Sequence, residues 1–359
     1  MNEYQPSFFD ESERLDKLSK LGDPLVELTR YIDFEFFRPS LERIFAREKK
    51  SAAGRPSYDV VFMFKVLILQ RLYNISDQQL EYQINDRQSF QRFLGLHLGS
   101  VVPDYTSVWR FREELTEAGA TKKLFDEFAA KLERQGVITK SGTIVDASFV
   151  EVPRQRNSRK DNEIIKNGGV PEEWKGQPRK LAQKDLEARW TKKNEQVHYG
   201  YKDHDVADAQ SKLIRDYEVT PANVHDIKQL DGLITEKHKG ESVFADSAYK
   251  SKEQEERLAQ MGIRSYIHDK GTRAGALNEI QKRMNAIKSK VRSRIEHIYG
   301  HMENSMGGDM LEYIGLARIK TAVGLRNLTY NLVRYVQLIR TGQVKAGGGW
   351  INSAESATA

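Results

Sequence analysis

The sequence predicts a mixed α/β protein in which an all-helical N-terminal part precedes a mixed sheet flanked by helices. From Pro24 to about Glu133, apolar residues recur at helical spacing. Around Gly136 the period changes, and the segment VITKSGTIVDASFVEV alternates and is rich in β-formers. After the short apolar segment IRSYIH the pattern is helical again. A chain of 359 residues is long enough for two domains.

Composition excludes several classes of protein. The chain has no cysteine, so disulfides and thiolate metal sites are excluded. The first residues, MNEYQPSFFDESER, are acidic where a secretory signal would be basic. The longest apolar run, Val60 to Leu69, contains Lys65 and is too short to span a bilayer. We therefore expect a cytoplasmic protein with no membrane partner.

The net charge of +6 is unevenly distributed. Lysine and arginine exceed acidic residues in the segments 151–203 and 270–303. Two basic blocks of this kind are typical of a surface that binds a polyanion such as DNA. Charge alone is equally consistent with solvated loops and helices.

The N-terminal helices are predicted from their periodicity and caps. Residues 1–20 are polar, and we expect them to be disordered. The segment Asp59 to Tyr73 is apolar nearly all round, which predicts the buried central helix of a bundle. Ser76 and Gln79 form a capping-box pair that opens the next helix. Thr106 is placed to cap the helix SVWRFREEL.

That last helix carries Arg110 and Arg112 beside aromatic residues and follows a short turn. Short helices joined by tight turns, with a basic final helix, resemble a helix-turn-helix DNA reader. The alternative is an ordinary bundle in which these arginines pair with acidic residues of the same helix.

The second part of the chain is predicted to alternate strands and helices. Residues 154–195 are polar, contain Gly and Pro, and are interpreted as a basic insertion or flexible loop. QVHYGYKDHDV and SKLIRDYEVT are predicted to form an antiparallel pair. A helix from about Asn223, the strand SVFAD, and a helix from about Lys252 to Gln260 follow. A buried helical stripe is predicted from Ile287, Val291, Ile295, Ile298 and Met302.

A last helix carries one apolar face, and the tail after it lacks periodicity. The predicted organisation is a disordered N-terminus at 1–20, a helical DNA-binding domain at 21–135, a catalytic domain at 136–341 and a disordered tail at 342–359.

Three acidic residues are the candidate site. Asp146 ends the apolar run TIVD, Asp246 ends the run SVFAD, and Glu296 lies in the basic helical segment KSKVRSRIEHIYGHME. A carboxylate at the end of a buried strand is costly unless it binds something positive. Mg²⁺ prefers oxygen ligands, and a pair of such ions can activate both oxygens of a displacement at phosphorus. The alternative for Glu296 is a weak intrahelical pair with Arg292.

An ordered set of motifs resembles a known family. TIVDASFVEVP, ARWTKKNEQVHYGYKDH, VTPANVHD, VFADSAYKS and VRSRIEHIYG occur in this order. Together they resemble bacterial insertion-sequence transposases of the DDE class, specifically the insertion-sequence-five family. The helical region, with YNISDQQLEYQI and VPDYTSVWRFREEL, also resembles that family, and the resemblance runs from about Ser57 to Ile339.

The resemblance implies a catalytic core with an RNase H-like, retroviral-integrase-type fold. It implies that Asp146, Asp246 and Glu296 are the catalytic residues and ligands of Mg²⁺, with Mn²⁺ possible in vitro. Tyr249 matches the Tyr that follows the second Asp, and Arg292 matches the Arg of the arginine–glutamate signature. The predicted DNA-binding residues are Arg292, Tyr249, Lys202, Lys250, Arg294, Arg110 and Arg112.

Two positions depart from the family pattern. The Tyr expected three residues before Arg292 is Ser289, and the Lys expected seven residues after Glu296 is Glu303. Because that Lys would contact phosphate of the transposon end, end binding is expected to differ in detail.

The resulting functional hypothesis is a DNA transposase. It would bind the terminal inverted repeats of its element and cleave the DNA ends with metal ions. It would then join the 3′-hydroxyls to target DNA, working as at least a dimer on paired ends. The alternatives are an RNase H-like nuclease that cuts without joining, and a domesticated, non-catalytic DNA-binding regulator.

Overall fold

The computed structural model describes residues 10–46, 57–97, 99–193, 195–271, 275–308 and 310–351. Every regular element before Thr143 in these ranges is a helix. The α-helices are α1 (Asp10–Lys20), α2 (Pro24–Tyr31), α3 (Arg38–Phe45), α4 (Val60–Tyr73), α5 (Asp77–Asp86), α6 (Gln88–Leu94), α7 (Tyr105–Glu117) and α8 (Ala120–Arg134). A 3₁₀ helix, Phe34–Phe37, precedes α3.

The second part of the chain alternates strands and helices. Its strands are β1 (Thr143–Glu151), β2 (Arg189–Lys193), β3 (Gln196–Asp208), β4 (Ile214–Pro221), β5 (Ser242–Ala245) and β6 (Arg264–Ser265). Its α-helices are α9 (Arg159–Lys166), α10 (Glu172–Lys175), α11 (Pro178–Leu181), α12 (Ile227–Leu233), α13 (Lys252–Gln260), α14 (Glu279–Arg292), α15 (Glu296–Ser305) and α16 (Leu316–Arg340).

The six strands form one mixed sheet. The strand order is β2–β3–β1–β5–β6, and β4 also pairs with β3. β3 is antiparallel to β1 and β4, whereas β5 and β6 run parallel to β1. The predicted antiparallel pair is confirmed as β3 and β4. The predicted mixed α/β architecture is therefore confirmed.

The N-terminal helices pack together because an apolar helix is surrounded by amphipathic ones. α4 confirms the predicted central helix, and its Phe64, Leu67 and Ile68 are fully buried. Asp59 caps α4 by accepting hydrogen bonds from two backbone amides of the first turn. Ser76 caps α5 as predicted. The predicted cap of α7 was wrong, because Asp104 and not Thr106 accepts the hydrogen bond from the amide of Ser107.

Helix α16 joins the two parts of the chain. It packs against α2, α4, α7 and α8 and also against β4. One continuous apolar core accordingly contains Leu25, Leu67, Phe125, Tyr217 and Leu328. A smaller apolar cluster on the sheet lies around β5, α12 and α13.

Within the described residues, the two segments predicted to be disordered contain ordered structure, and segment 154–195 disagrees with the flexible-loop alternative. Residues 10–20 form helix α1, and residues 1–9 lie outside the described part of the chain. Segment 154–195 contains α9, α10, α11 and β2, and its Trp174 is buried. After α16 the chain turns back, and Trp350 donates from Nε1 to the carbonyl of Val137 at 3.1 Å. Residues 352–359 of the predicted disordered tail lie outside the described ranges.

The predicted buried stripe before and after Glu296 was partly wrong. Ile295, Ile298 and Met302 are buried, but Ile287 is 57% exposed. The reason is a break in the helix, since α14 ends at Arg292 and α15 begins at Glu296. The two helices therefore present different faces to the core.

Candidate active site

Asp146 lies within β1 and not at its end, because the strand continues to Glu151. Its Oδ2 accepts a hydrogen bond from Nη1 of Arg292 at 2.8 Å, and its Oδ1 accepts one from the amide of Ala147 at 2.9 Å. Burial raises the pKa of the Asp146 carboxyl to about 6, although Arg292 opposes this effect. The side chain is therefore a costly buried acid that is stabilised by one guanidinium.

Asp246 is the neighbour of Asp146 across the parallel strands. β1 and β5 pair from Thr143–Val243 through Val145–Ala245, so these two acids are the next residues on their strands. Adjacent strands lie about 4.8 Å apart. The charge of Asp246 contributes to raising the pKa of Asp146, which is consistent with two carboxylates facing the same space. Asp246 also accepts a hydrogen bond from the amide of Ala248 at 2.8 Å.

Glu296 reaches this pair of acids through Arg292. It is the first residue of α15, and its side chain is 61% exposed. Its Oε1 lies 3.3 Å from Nη2 of Arg292, whose Nη1 is bound to Asp146. The structure thus brings all three predicted acids to one region and places a guanidinium between two of them.

The chemistry of these donors suits a hard divalent cation, but their present arrangement does not coordinate one. Within the described ranges, no group of three or more His, Asp or Glu residues is placed to hold a metal ion. Asp146 and Asp246 could supply oxygen ligands from neighbouring strands, and Glu296 could supply a third from its exposed side chain if its contact with Arg292 were released. A metal ligated by Asp146 and Glu296 would require Arg292 to leave its position between them.

A second acidic pair behind the site was missed in the sequence. Asp205 on β3 lies directly opposite Asp146, and Asp203 is two residues away on the same face. Both side chains are fully buried, and Nδ2 of Asn327 donates to both, at 3.0 Å to Asp203 and 3.1 Å to Asp205. Burial, and for Asp205 the neighbouring Asp203, raise both pKa values, that of Asp203 to about 6. The two acids are two residues apart in the segment KDHDV. Because side chains alternate along a strand, this spacing places both acids on one face and was the signal available in the sequence.

Three predicted DNA contacts are on or near the surface. Arg110 and Arg294 are exposed. Lys250 is partly exposed and forms an ion pair with Asp269. These three residues stay as candidates for contact with DNA, with the Lys250 ammonium already engaged by a carboxylate.

Three other predicted DNA contacts are buried or already bound to other groups of the protein. Arg112 is 4% exposed and forms an ion pair with Asp77 at 2.7 Å, so it supports the bundle. Lys202 is bound to Asp226 at 2.7 Å and to the carbonyl of Val224. Tyr249 is 1% exposed, and burial, followed by the charges of nearby acids including Asp146, raises the pKa of its hydroxyl. In this conformation none of these three side chains is free to contact DNA that approaches from solution.

Comparison with known proteins identifies both parts of the chain. Residues 138–332 match the family described as Transposase DDE domain, and residues 13–114 match Transposase domain (DUF772). A cryo-EM structure of the piggyBac transposase synaptic complex with hairpin DNA shares 11% identity, covering 92% of this chain and 77% of that chain, with a TM-score of 0.45. A TM-score this low is no evidence about fold or function. Because the first match spans more than half of the sequence, the chain belongs to the Transposase DDE domain family and is a DDE transposase.

Proposed function

We propose that this transposase belongs to an insertion sequence of the insertion-sequence-five type in a bacterium. In this proposal it binds the terminal inverted repeats and cleaves the DNA at those ends. It then joins the cleaved 3′ ends to target DNA. It works as at least a dimer. We place its activity in the cytoplasm, at the DNA. Among the described helices, each is too short or too polar to cross a membrane.

The single observation that carries the proposal is the position of Asp146 beside Asp246 with Arg292 and Glu296 over them. Such a set of carboxylates and one guanidinium matches what phosphodiester chemistry requires, namely metal ligands and a group that binds phosphate. The strand order supports an RNase H-like core, because the antiparallel strands β1, β3 and β4 are followed by two strands parallel to β1, with β2 as an additional antiparallel edge strand.

Transposase DDE domains generally use divalent metal ions. In this chain we propose Mg²⁺, with Mn²⁺ as a substitute, held by Asp146, Asp246 and Glu296. The ion would lower the pKa of an attacking water and stabilise the charge that develops on the phosphate. The proposed roles of the protein are to bring the two aspartates together and to supply Arg292 to the DNA backbone.

The proposal is tested with a plasmid that carries the reading frame and its native flanking DNA. The purified wild type is expected to cut this DNA at the ends of the element when Mg²⁺ or Mn²⁺ is added. Asp146→Asn is expected to abolish cutting and to leave binding to the same DNA in a gel-shift assay, because it removes a metal ligand and keeps the shape. The exposed cap Asp33, where Asn caps equally well, supplies the matched control Asp33→Asn.

Three outcomes would contradict parts of this proposal. Cutting that survives in Asp146→Asn would remove the metal-site assignment. Cut ends that are never recovered joined to a second DNA would favour a nuclease without joining activity. A wild type that binds the DNA but does not cut it would favour a regulator.

A further inference from the structure

A basic pocket lies on the other side of α15 from Glu296. It is a cavity of about 200 Å³ between the β3–β4 turn, α15 and α16. We call it the basic pocket, and its polar lining residues are Lys212, His297, His301, Tyr330, Arg334 and Gln337. Its volume is several times the roughly 30 Å³ that a water molecule occupies in the liquid.

The lysine and the arginine of the basic pocket, Lys212 and Arg334, lack carboxylate partners among the described residues. Neither Lys212 nor Arg334 has an acidic oxygen within 4.0 Å among the residues that the structure describes. Arg334 instead donates from Nε to the carbonyl of Ser211 at 2.8 Å and from Nη1 to Gln337 at 2.7 Å. Burial, Arg334 and Arg294 lower the pKa of Lys212. Two positive charges are therefore held together without compensation.

Comparable cations elsewhere in the molecule are neutralised. Arg215 is paired with Glu241 at 2.6 Å, Arg112 with Asp77 at 2.7 Å, and Lys202 with Asp226 at 2.7 Å. Arg71, which is 8% exposed and donates to the hydroxyl of Tyr313, is an exception without an ion pair among the described residues. The basic pocket differs from it in holding two such cations around a cavity, where an anion from outside could complete them.

The remaining lining residues are suited to an anion. The Nε2 of His301 is buried and has no hydrogen-bond partner among the described residues. Burial, together with Arg334, lowers the pKa of His301, so binding of an anion would favour its protonated form. The hydroxyl of Tyr330 donates to the carbonyl of Lys212 at 2.8 Å and holds the turn in place. The lining includes no carboxylate.

The basic pocket is close to the candidate active site. His297 directly follows Glu296, and Nη1 of Arg294 donates to the carbonyl of Ala209 in the β3–β4 turn at 2.8 Å. Asp205, opposite Asp146, lies near the end of β3 from which the turn with Lys212 continues. The basic pocket and the candidate active site are thus connected through α15 and through β3.

We propose that the basic pocket binds a backbone phosphate of the DNA strand on which Asp146 and Asp246 act. This inference rests on the proposed function and names a second point at which the same substrate is held. Lys212 and Arg334 supply the charge, and His301 supplies a directed hydrogen bond. A phosphate held there fixes the position of the strand along α15, and so sets which bond lies at the acids.

The test removes one charge from the basic pocket without disturbing the turn. Lys212 has a φ of +59°, and Asn is among the side chains that best tolerate this conformation, so Lys212→Asn should fold normally. Binding to a fluorescent duplex made from the native flanking DNA is measured by anisotropy over a series of salt concentrations. For Lys212→Asn, we expect weaker binding and a salt slope smaller by about 0.9, the change for one lost phosphate contact.

Two controls accompany this measurement. Lys239→Asn removes an exposed charge beyond the opposite end of β5 and is expected to keep the wild-type slope. Lys212→Arg keeps the positive charge and is expected to show the wild-type salt slope. A wild-type slope in Lys212→Asn would overturn the inference while cutting of the plasmid by the wild type still supported the proposed function. A wild type that binds no DNA would overturn both.

Inorganic phosphate distinguishes a DNA contact from a site for a small anion. If phosphate alone raises the melting temperature of the wild type and not of Lys212→Asn, while the DNA salt slopes are equal, the basic pocket binds a small anion and the DNA assignment is wrong. If phosphate shifts the melting temperatures of the wild type and Lys212→Asn by the same amount, and Lys212→Asn has a reduced DNA salt slope, the backbone contact is supported.

Discussion

Arg292 is the residue on which the proposed metal chemistry of the site depends. Its guanidinium bonds to Asp146 at 2.8 Å and lies 3.3 Å from Glu296, so it neutralises two of the carboxylates that the proposed cation would need. In this proposal the arginine and a divalent cation compete for the same oxygens. When DNA supplies a phosphate, the guanidinium gains a second anionic partner and can release the acids. Metal binding and DNA binding should then be coupled through this one side chain.

This competition predicts that removing the guanidinium separates metal binding from cutting. Arg292→Gln is expected to strengthen binding of Mn²⁺ to the DNA-free protein by several-fold, because a positive charge at hydrogen-bond distance no longer opposes the ion. The same variant should cut DNA more slowly, since it has lost the group proposed to bind the phosphate. Mn²⁺ binding is measured by isothermal titration and cutting by the plasmid assay.

Arg283 provides the matched control on the same helix. It is exposed on α14, and Arg283→Gln changes the net charge by the same amount at a distance from the acids. Equal Mn²⁺ affinities for wild type and Arg292→Gln would show that the arginine does not compete with the metal.

At the scale of elements, two arginines of α7 have opposite roles despite their proximity in sequence. Arg112 is buried, donates from Nη1 and Nη2 to Asp77 on α5 and also reaches Gln70 on α4. Arg110 is exposed on the same helix. The helix therefore uses one arginine to fasten three helices together and leaves the other for solvent or DNA.

Arg112→Ala is expected to destabilise the fold by about 3–5 kcal/mol, because Asp77 would be left as an uncompensated, half-buried charge. Arg110→Ala is expected to change stability by less than about 0.5 kcal/mol, as is usual for an exposed site. Urea unfolding measures both values. If α7 contacts DNA, Arg110→Ala also lowers affinity and the salt slope. Equal stabilities of the two variants would contradict the assignment of Arg112 to the bundle.

Elements with strong local patterns could be predicted from the sequence. The all-round apolar run predicted α4, alternation predicted the β3–β4 pair, and helix α13 has the predicted bounds Lys252–Gln260. The short helices of 154–195 could not be predicted, because four-residue helices such as α10 have no periodicity. They depend on tertiary contacts such as the burial of Trp174.

Part of the candidate site could also be predicted, because two of its acids follow strong local patterns in the sequence. Asp146 and Asp246 were detectable because each follows an apolar run in the sequence. The juxtaposition of Asp205 with Asp146 depends on the register of β1 and β3, which a sequence pattern does not specify. The break between α14 and α15 has no Pro or Gly to mark it, so the exposure of Ile287 was not predictable.

At the scale of the whole molecule, α16 makes the helical and sheet-containing parts one folding unit. Between α16, α8 and β4, the backbone of Gly324 lies against the hydroxyl of Tyr217 and the side chain of Thr121. The ring of Tyr217 packs edge-on against Phe125 of α8 with ring centroids 4.9 Å apart. The predicted boundary near residue 135 therefore crosses a shared apolar core. We expect the two parts to unfold together.

This packing predicts opposite effects for alanine at two helical glycines. A Cβ on Gly324 would meet Tyr217 and Thr121 closer than normal contact allows, whereas a Cβ on Gly300 in α15 would meet nothing within 4 Å. Gly324→Ala is expected to lower the free energy of unfolding by about 1–2 kcal/mol through overpacking. Gly300→Ala is expected to raise it by about 0.4–1 kcal/mol, because it restricts the unfolded chain. Urea unfolding is followed by far-UV circular dichroism and by tryptophan fluorescence.

The two probes also decide whether the chain unfolds as one unit. Far-UV circular dichroism is weighted towards the helices on both sides of the boundary, while three of the four tryptophans follow the boundary, so fluorescence is weighted towards the second part. In Gly324→Ala, both probes should shift to lower urea by the same amount and remain coincident, because the substitution weakens a contact between the parts. Separate transitions, with only one of them shifted, would show that the helical and sheet-containing parts fold independently despite the core they share.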